Sequence, residues 1–469
     1  MQTVYNYFLK RATVVYFLSL FTCMILYSNH WMEWYWVLAG IIEVTGFVYL
    51  SSFLDLSWKE VSQASFERHL FSLSLLLRLL WLIVFYWFSM SVWNSPWEQP
   101  LGVPMDSESY YNESLWIKEM ILNKDLSPYL LYISGHLDDA GYPLFLGILS
   151  FITNNSIVLT RVPNIVFDSW TAVLIYRIAK RNFDERVARV SGIFVVLMPM
   201  IIFYSGTTMK ESMMLMLATW AVERGDFTIR NKSSLGFCFI EFIFLSASLL
   251  LFRTALSWVL FLSFICALVL SSERLMTRPR RVAFLLILVL GGFIVGGEIM
   301  EQRELLTEQF DATGANFEYR ASKQGGNVLV KNLNKAVLAP VIFSVPFPSM
   351  VSIKDQNIQM LQNGGYFLKN ILSFFVIFAL IVLVKRKVWR NNVMIITFML
   401  GYLIVLTLSS FAHSGRFHHP VIPIEMVFAV FGMSSIRNKR QADWFDLFLV
   451  LEFLIIIAWN GFKLKGRGL

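Results

Sequence analysis

Apolar runs of roughly 17–24 residues recur along this chain, each long enough to carry a helix across a bilayer core of about 30 Å. No other feature restricts the fold as strongly. A segment in lipid must satisfy its backbone polar groups internally, so runs of this length and spacing are helices. We read them at residues 13–27, 35–53 and 70–93, then 163–179, 187–205, 208–222, 236–252, 254–271 and 282–299. The last four are 367–384, 393–410, 421–434 and 444–459. The expected fold class is an all-α polytopic membrane protein of about 13 transmembrane helices.

Composition supports this and removes alternatives. The chain is 56% hydrophobic and only 15% charged, too little charge to clothe a soluble surface over 469 residues. Many Trp and Tyr fall near the ends of the apolar runs, where an amphipathic ring suits the headgroup boundary. The net charge of +8 would suit a nucleic-acid binder, but Lys and Arg concentrate in a few short loops, so no nucleic-acid partner is expected. Cys23, Cys238 and Cys266 each sit inside an apolar run and read as small buried hydrophobes. The first run continues directly towards a second, as in a retained anchor.

Two polar intervals, 94–142 and 300–365, divide the runs. They give an N-terminal group in 1–93, a first long loop in 94–160, a central bundle in 161–299, a second long loop in 300–366 and a C-terminal group in 367–469. Alternate short loops carry the basic residues: Lys59 and Arg68, Arg177 through Arg189, Arg224 and Arg230, Arg278 and Arg281, Lys385 through Arg390, and Arg437 through Arg440. The positive-inside bias makes these loops and the N-terminus cytoplasmic and turns both long loops outward, where they are expected to carry short surface helices. The tail with Lys463 and Lys465 then falls outside, against the bias. The apolar stretch 142–153 is short for a span, and crossing there would invert every later loop, so we place it at the membrane surface or dipping into it.

The first long loop carries most of the acids. At its centre is Met105-Asp-Ser-Glu-Ser-Tyr-Tyr111, with Asp106 and Glu108 two residues apart. Such a pair suits a general base with a second carboxylate to orient it or to hold a divalent ion; it equally suits a solvated acidic loop. Tyr204-Ser-Gly-Thr-Thr-Met-Lys-Glu-Ser212 lies where one helix reaches the outer face and the next begins. Thr207 or Thr208 could cap the returning helix with Glu211 as a first-turn acid, or Glu211 could share a site with Asp106. Arg253 and Arg416 interrupt apolar sequence at outer ends. A lipid phosphate is a natural partner for such a cation, and snorkelling to headgroups is the alternative. Arg320 and Lys323, beside Gly325-Gly326, suit a diphosphate clamp or a solvated loop. His413, His418 and His419 offer metal-ligating chemistry without the usual helical spacing. Asp168 and Glu241 fall within apolar runs.

The order of these pieces carries a resemblance. Asp106-x-x-x-Tyr110 is followed by Gly141-Tyr-Pro-Leu-Phe-Leu-Gly147, Arg161-Val-Pro-Asn164 and Tyr176-Arg-Ile-Ala-Lys-Arg-Asn-Phe183. Pro199, Tyr204-Ser205 and Glu211 come next, then Gly415-Arg-Phe-His-His-Pro-Val-Ile-Pro423. The chain resembles the GT-C superfamily of membrane glycosyltransferases, especially bacterial relatives of protein O-mannosyltransferases and aminoarabinose transferases. The resemblance implies a GT-C-like bundle in the bacterial inner (cytoplasmic) membrane with an outward active site. It implies sugar transfer, with inversion, from a polyprenyl-phosphate donor to a glycan, lipid or protein acceptor. Asp106 and Glu108 would be catalytic, with Asp138, Asp139 and Glu211 orienting the acceptor or a metal. Lys210, Arg253, Arg416, Arg320 and Lys323 would bind the donor phosphate. A divalent cation is the one candidate cofactor. Three apolar runs precede the catalytic loop here, where the family usually has one. The alternatives are an undecaprenyl-diphosphate glycan polymerase or ligase, leaning on Arg320, Lys323 and Arg416, and a flippase or transporter for a lipid-linked sugar.

Overall fold

The computed structural model describes residues 2–100, 105–133, 137–231, 235–272, 275–279, 281–286, 342–354, 356–408 and 414–465. Among these residues there is no β-strand, and most of them are helical. Most of the apolar run at 282–299, from residue 287 on, and most of the second long loop lie outside the described residues.

Three long helices open the chain: α1 (Gln2–Leu26), α2 (Trp34–Ser57) and α3 (Gln63–Trp93). Three shorter ones follow: α4 (Asp106–Asn123), α5 (Ser127–Ile133) and α6 (Leu137–Ile152). The central group is α7 (Ile157–Asn182), α8 (Glu185–Leu197), α9 (Pro199–Ser205), α10 (Glu211–Arg230), α11 (Leu235–Ser248) and α12 (Thr254–Leu270). The last group is α13 (Asn357–Leu361), α14 (Asn363–Lys385), α15 (Val393–Leu408), α16 (Gly415–His418), α17 (Ile422–Ser435) and α18 (Lys439–Lys465).

Six described helices, α1, α2, α3, α7, α14 and α18, are long and apolar enough to cross a membrane, and α8 with α9 would make a seventh if their 50° bend interrupts one span. Length and composition therefore do not reach the count of about 13 read from apolar runs. The runs in α11, α12 and α15 form helices shorter than those six. The runs at 208–222 and 421–434 fall in α10 and α17, which carry buried Glu211, Glu223 and Asp226, and Glu425. The helices are compatible with a multi-pass membrane protein. Phe21, Ile42, Phe53, Trp87, Phe237 and Phe244 stand outward, more than half exposed, as lipid-facing side chains would. Inward faces carry small and polar residues that let helices approach. Gly432 of α17 is one: a Cβ there would sit 2.1 Å from the Phe375 carbonyl oxygen of α14.

The basic short loops gather at one end of the bundle. Arg177 pairs with Glu67 at 2.7 Å, Arg181 with Glu223 at 2.6 Å and Asp226 at 3.2 Å, and Arg230 with Asp226 at 2.8 Å. Arg189 donates to the carbonyls of Trp58 at 2.7 Å and Val61 at 2.6 Å. Glu241, one of the two acids within apolar runs, lies 3.1 Å from Arg224 at this end. At the opposite end Ser352 donates to the His30 carbonyl at 2.8 Å, and Lys463 at the close of α18 donates to Gln356 at 3.3 Å. The basic tail thus departs from the charge pattern of the other loops.

Candidate functional site

The segment between α3 and α7 leaves and rejoins the bundle at the same end. The Pro96 carbonyl, just beyond α3, accepts from Arg161 Nη2 in the second turn of α7 at 2.6 Å. The stretch 142–153 lies on α6, which packs on α4. Tyr111 donates to the Asn155 carbonyl at 2.8 Å, Lys118 to the Asn155 side chain at 2.8 Å, and the Ser114 and Ser150 hydroxyls lie 3.1 Å apart. The extended conformation of Met105 stops helical structure upstream, so Asp106 and Glu108 fall in the first turn of α4. Carboxylates there face unpaired backbone N–H groups and the positive end of the helix dipole.

A helix break sets the opposite wall. Pro199 has no N–H, so the Val195 carbonyl loses its helical donor. Arg78, fully buried on α3, supplies the replacement: Nη2 donates to Val195 and Nη1 to Val196, both at 3.3 Å. Its charge is opposed by buried Asp168 of α7, which accepts from Ser212 at 2.8 Å. Carbonyls without donors in an apolar interior cost several kcal/mol, which accounts for a cation in the middle of α3. Beyond α9, residues 206–210 form a turn held from below. Asn164 donates to the carbonyls of Thr207 at 3.0 Å and Met209 at 3.2 Å, and Arg161 Nε donates to the Thr208 hydroxyl at 3.0 Å. The turn delivers Glu211 as the first residue of α10.

Three remote pieces of chain meet here. Arg416, on the one-turn helix α16, hydrogen-bonds Asp106 of α4, and its Nε lies 3.7 Å from Glu211 Oε1. Glu211 is buried, and its Oε2 has no partner among the described residues. Burial works against the Arg416 charge, but Glu211 and Asp106 outweigh it and hold the guanidinium above its ordinary pKa. Beside this trio, Lys210 pairs with Asp139 and donates to the Phe252 carbonyl at 2.7 Å, while Tyr110 donates to Asp139 at 3.1 Å. Burial opposes ionisation of Asp139, yet Lys210 and Tyr110 outweigh it and hold the carboxyl below its usual range. Arg253 donates to the Tyr402 hydroxyl at 2.9 Å and rests 4.4 Å from the Phe417 ring, beside Arg416 at 4.9 Å from the same ring. Buried Glu98 accepts from Ser107, and burial raises its carboxyl above the ordinary value, with Arg161 partly offsetting.

The structure therefore brings together Asp106, Asp139, Lys210, Glu211, Arg253 and Arg416 at one end of the bundle. Glu108 lies on the same turn as Asp106, with no ion pair to the cluster among the described residues. Arg320, Lys323 and His413 lie outside the described residues, as does the side chain of Asp138. His418 and His419 are buried, and His419 meets the Tyr204 ring edge-on at 4.8 Å. Among the described residues no three His, Cys, Asp or Glu side chains gather as a metal site.

Four residues that build or support this end had no role assigned from the sequence: Glu98, Tyr110 and Arg161 beside the cluster, and Arg78 deeper in the bundle. A lone Arg within an apolar run is the signal that would have found Arg78, because such a charge persists only with a partner. Comparison with family models, curated proteins and solved structures found no match to this chain.

Proposed function

We propose that the chain is a membrane glycosyltransferase that moves a sugar from a polyprenyl-phosphate donor to a cell-envelope acceptor, with inversion, at the outer face of the bacterial cytoplasmic membrane. In this reading the basic end faces the cytoplasm, the acidic and cationic cluster faces out, and about 13 helices cross the membrane, including shorter and bent ones. One observation carries it: Asp106, Glu211 and Arg416, drawn from three distant segments, meet at the end of the bundle away from the basic loops. A carboxylate beside fixed cations suits displacement at an anomeric carbon. The acceptor oxygen bonds to that carbon, and its proton passes to Asp106. The bond to the donor phosphate breaks, and the electron pair leaves on the phosphate oxygen. Arg253, with Lys210 near it, offers positive charge to that leaving group.

The test is transfer of radiolabelled sugar from a polyprenyl-phosphate donor to acceptors in membranes holding the full chain. Asp106→Asn should keep expression and thermal stability and abolish transfer. Wild-type transfer by that variant removes Asp106 from the chemistry. Movement of the lipid-linked sugar across sealed vesicles with no glycosidic bond broken replaces the enzyme reading with a transporter.

A further inference from the structure

We infer that the Arg416 guanidinium occupies the place of a divalent cation between Asp106 and Glu211, so that this site works without a metal ion. The catalytic meaning of the inference rests on the glycosyltransferase reading; the cation-binding behaviour it implies does not.

Two carboxylates held towards one point repel, and an intervening positive charge relieves that repulsion. A divalent ion would do this with oxygen ligands at about 2.1 Å and bound water. Here a side chain of this chain already stands between them. The guanidinium is planar with five N–H donors, so Nη1 reaches Asp106 while Nε faces Glu211. Its position is fixed by the backbone beside it. A Cβ on Gly415 would sit 2.3 Å from Cε1 of Tyr366, a buried ring on α14, so the turn is seated tightly against that helix. The Phe417 ring, 4.9 Å from Arg416, flanks it on the other side in sequence.

The neighbouring acid repeats the pattern, since Asp139 has Lys210 as its own cation. A metal ion entering between Asp106 and Glu211 would have to displace the guanidinium or share the space with it. At separations of a few ångströms the two positive charges repel strongly. The difference in charge also matters for the reaction. A guanidinium leaves the pair of carboxylates with one net negative charge, and it binds by hydrogen bonds. Lone pairs on Asp106 thus stay available for the acceptor proton, where a coordinating metal would draw on them.

The experiment is Mn2+ uptake by purified full-length protein in detergent, read by the electron paramagnetic resonance signal of free Mn2+. Wild-type protein should leave the signal unchanged, and Asp106→Asn should do the same. Arg416→Ala should take up one Mn2+ per chain, at least about ten-fold more tightly than wild type, and the uptake should vanish in the double variant with Asp106→Asn. Arg416→Lys, which keeps a cation in place, should behave as wild type. Uptake by wild-type protein that Asp106→Asn abolishes overturns the inference, and this arm needs no Arg416 variant to fold. A folded Arg416→Ala protein that takes up no Mn2+ overturns it as well. Failure of the glycosyltransferase reading shows separately, as absence of sugar transfer by wild-type protein with or without EDTA and Mn2+, and leaves the titration result standing.

Discussion

The guanidinium of Arg416 hydrogen-bonds the carboxylate of Asp106 across 310 positions of chain. The contact joins the helix that opens the long acidic segment to a one-turn helix before α17, and Glu211 completes it from a third element. Arg416→Met leaves two carboxylates facing each other, one of them buried. It should lower stability by about 2 kcal/mol or more, read from thermal unfolding in detergent. Adding Glu211→Gln should recover part of that loss. A double variant as unstable as the sum of the two single ones would show that the charges are not coupled.

The break before Pro199 offers a second test. Arg78→Met strips the Val195 and Val196 carbonyls of their donors and leaves Asp168 without its counter-charge, at an expected cost of about 2–4 kcal/mol. Pro199→Ala restores the N–H that Val195 lost. The pair of changes together should therefore be less harmful than Arg78→Met alone, and an equal or greater loss would refute this account of the break.

Two carboxyls should respond to pH with opposite sign. Glu98 is raised above its ordinary value of 4.5 by burial, so the stability it contributes is present at low pH and is lost as pH rises through its folded value. Asp139 is held below 3.8 because Lys210 and Tyr110 outweigh burial, so its contribution is present at neutral pH and is lost as pH falls through its folded value. In melting curves across acid to neutral pH, Glu98→Gln should remove a decline on the alkaline side. Asp139→Asn should be less stable than wild type at neutral pH, and the gap should close in acid.

Glycine tests the helix packing. Gly432→Ala would press a methyl group 2.1 Å from the Phe375 carbonyl oxygen and should force α14 and α17 apart, at about 2 kcal/mol or more. Gly46 has nothing within 4 Å of its Cβ position, so Gly46→Ala should be neutral or stabilising by up to about 1 kcal/mol. Melting temperatures of the two variants should move apart, and equal shifts would count against the close approach.

Much of the architecture was legible in the chain itself. Runs of apolar residues dictate helices wherever water is absent, and α1, α2, α3, α7, α14 and α18 lie where those runs lie. The basic loops that charge singled out do meet, since Arg177, Arg181, Arg189 and Arg230 engage acids and carbonyls at one end of the bundle. Arg253 and Arg416 were singled out because charge at an apolar boundary is costly without a partner, Asp106 by its paired carboxylate and Glu211 by its place after the Tyr204-Ser205 turn, while Asp139 and Lys210 entered only through the family resemblance. What periodicity could not supply was pairing. Hydropathy reports how one segment meets lipid; it carries no term for which distant segment lies alongside. That Arg416 belongs to Asp106 and Glu211, Lys210 to Asp139, and Arg78 to the carbonyls freed by Pro199 was decided only when the helices packed, since each partnership joins groups far apart in the chain whose desolvation has to be matched in space.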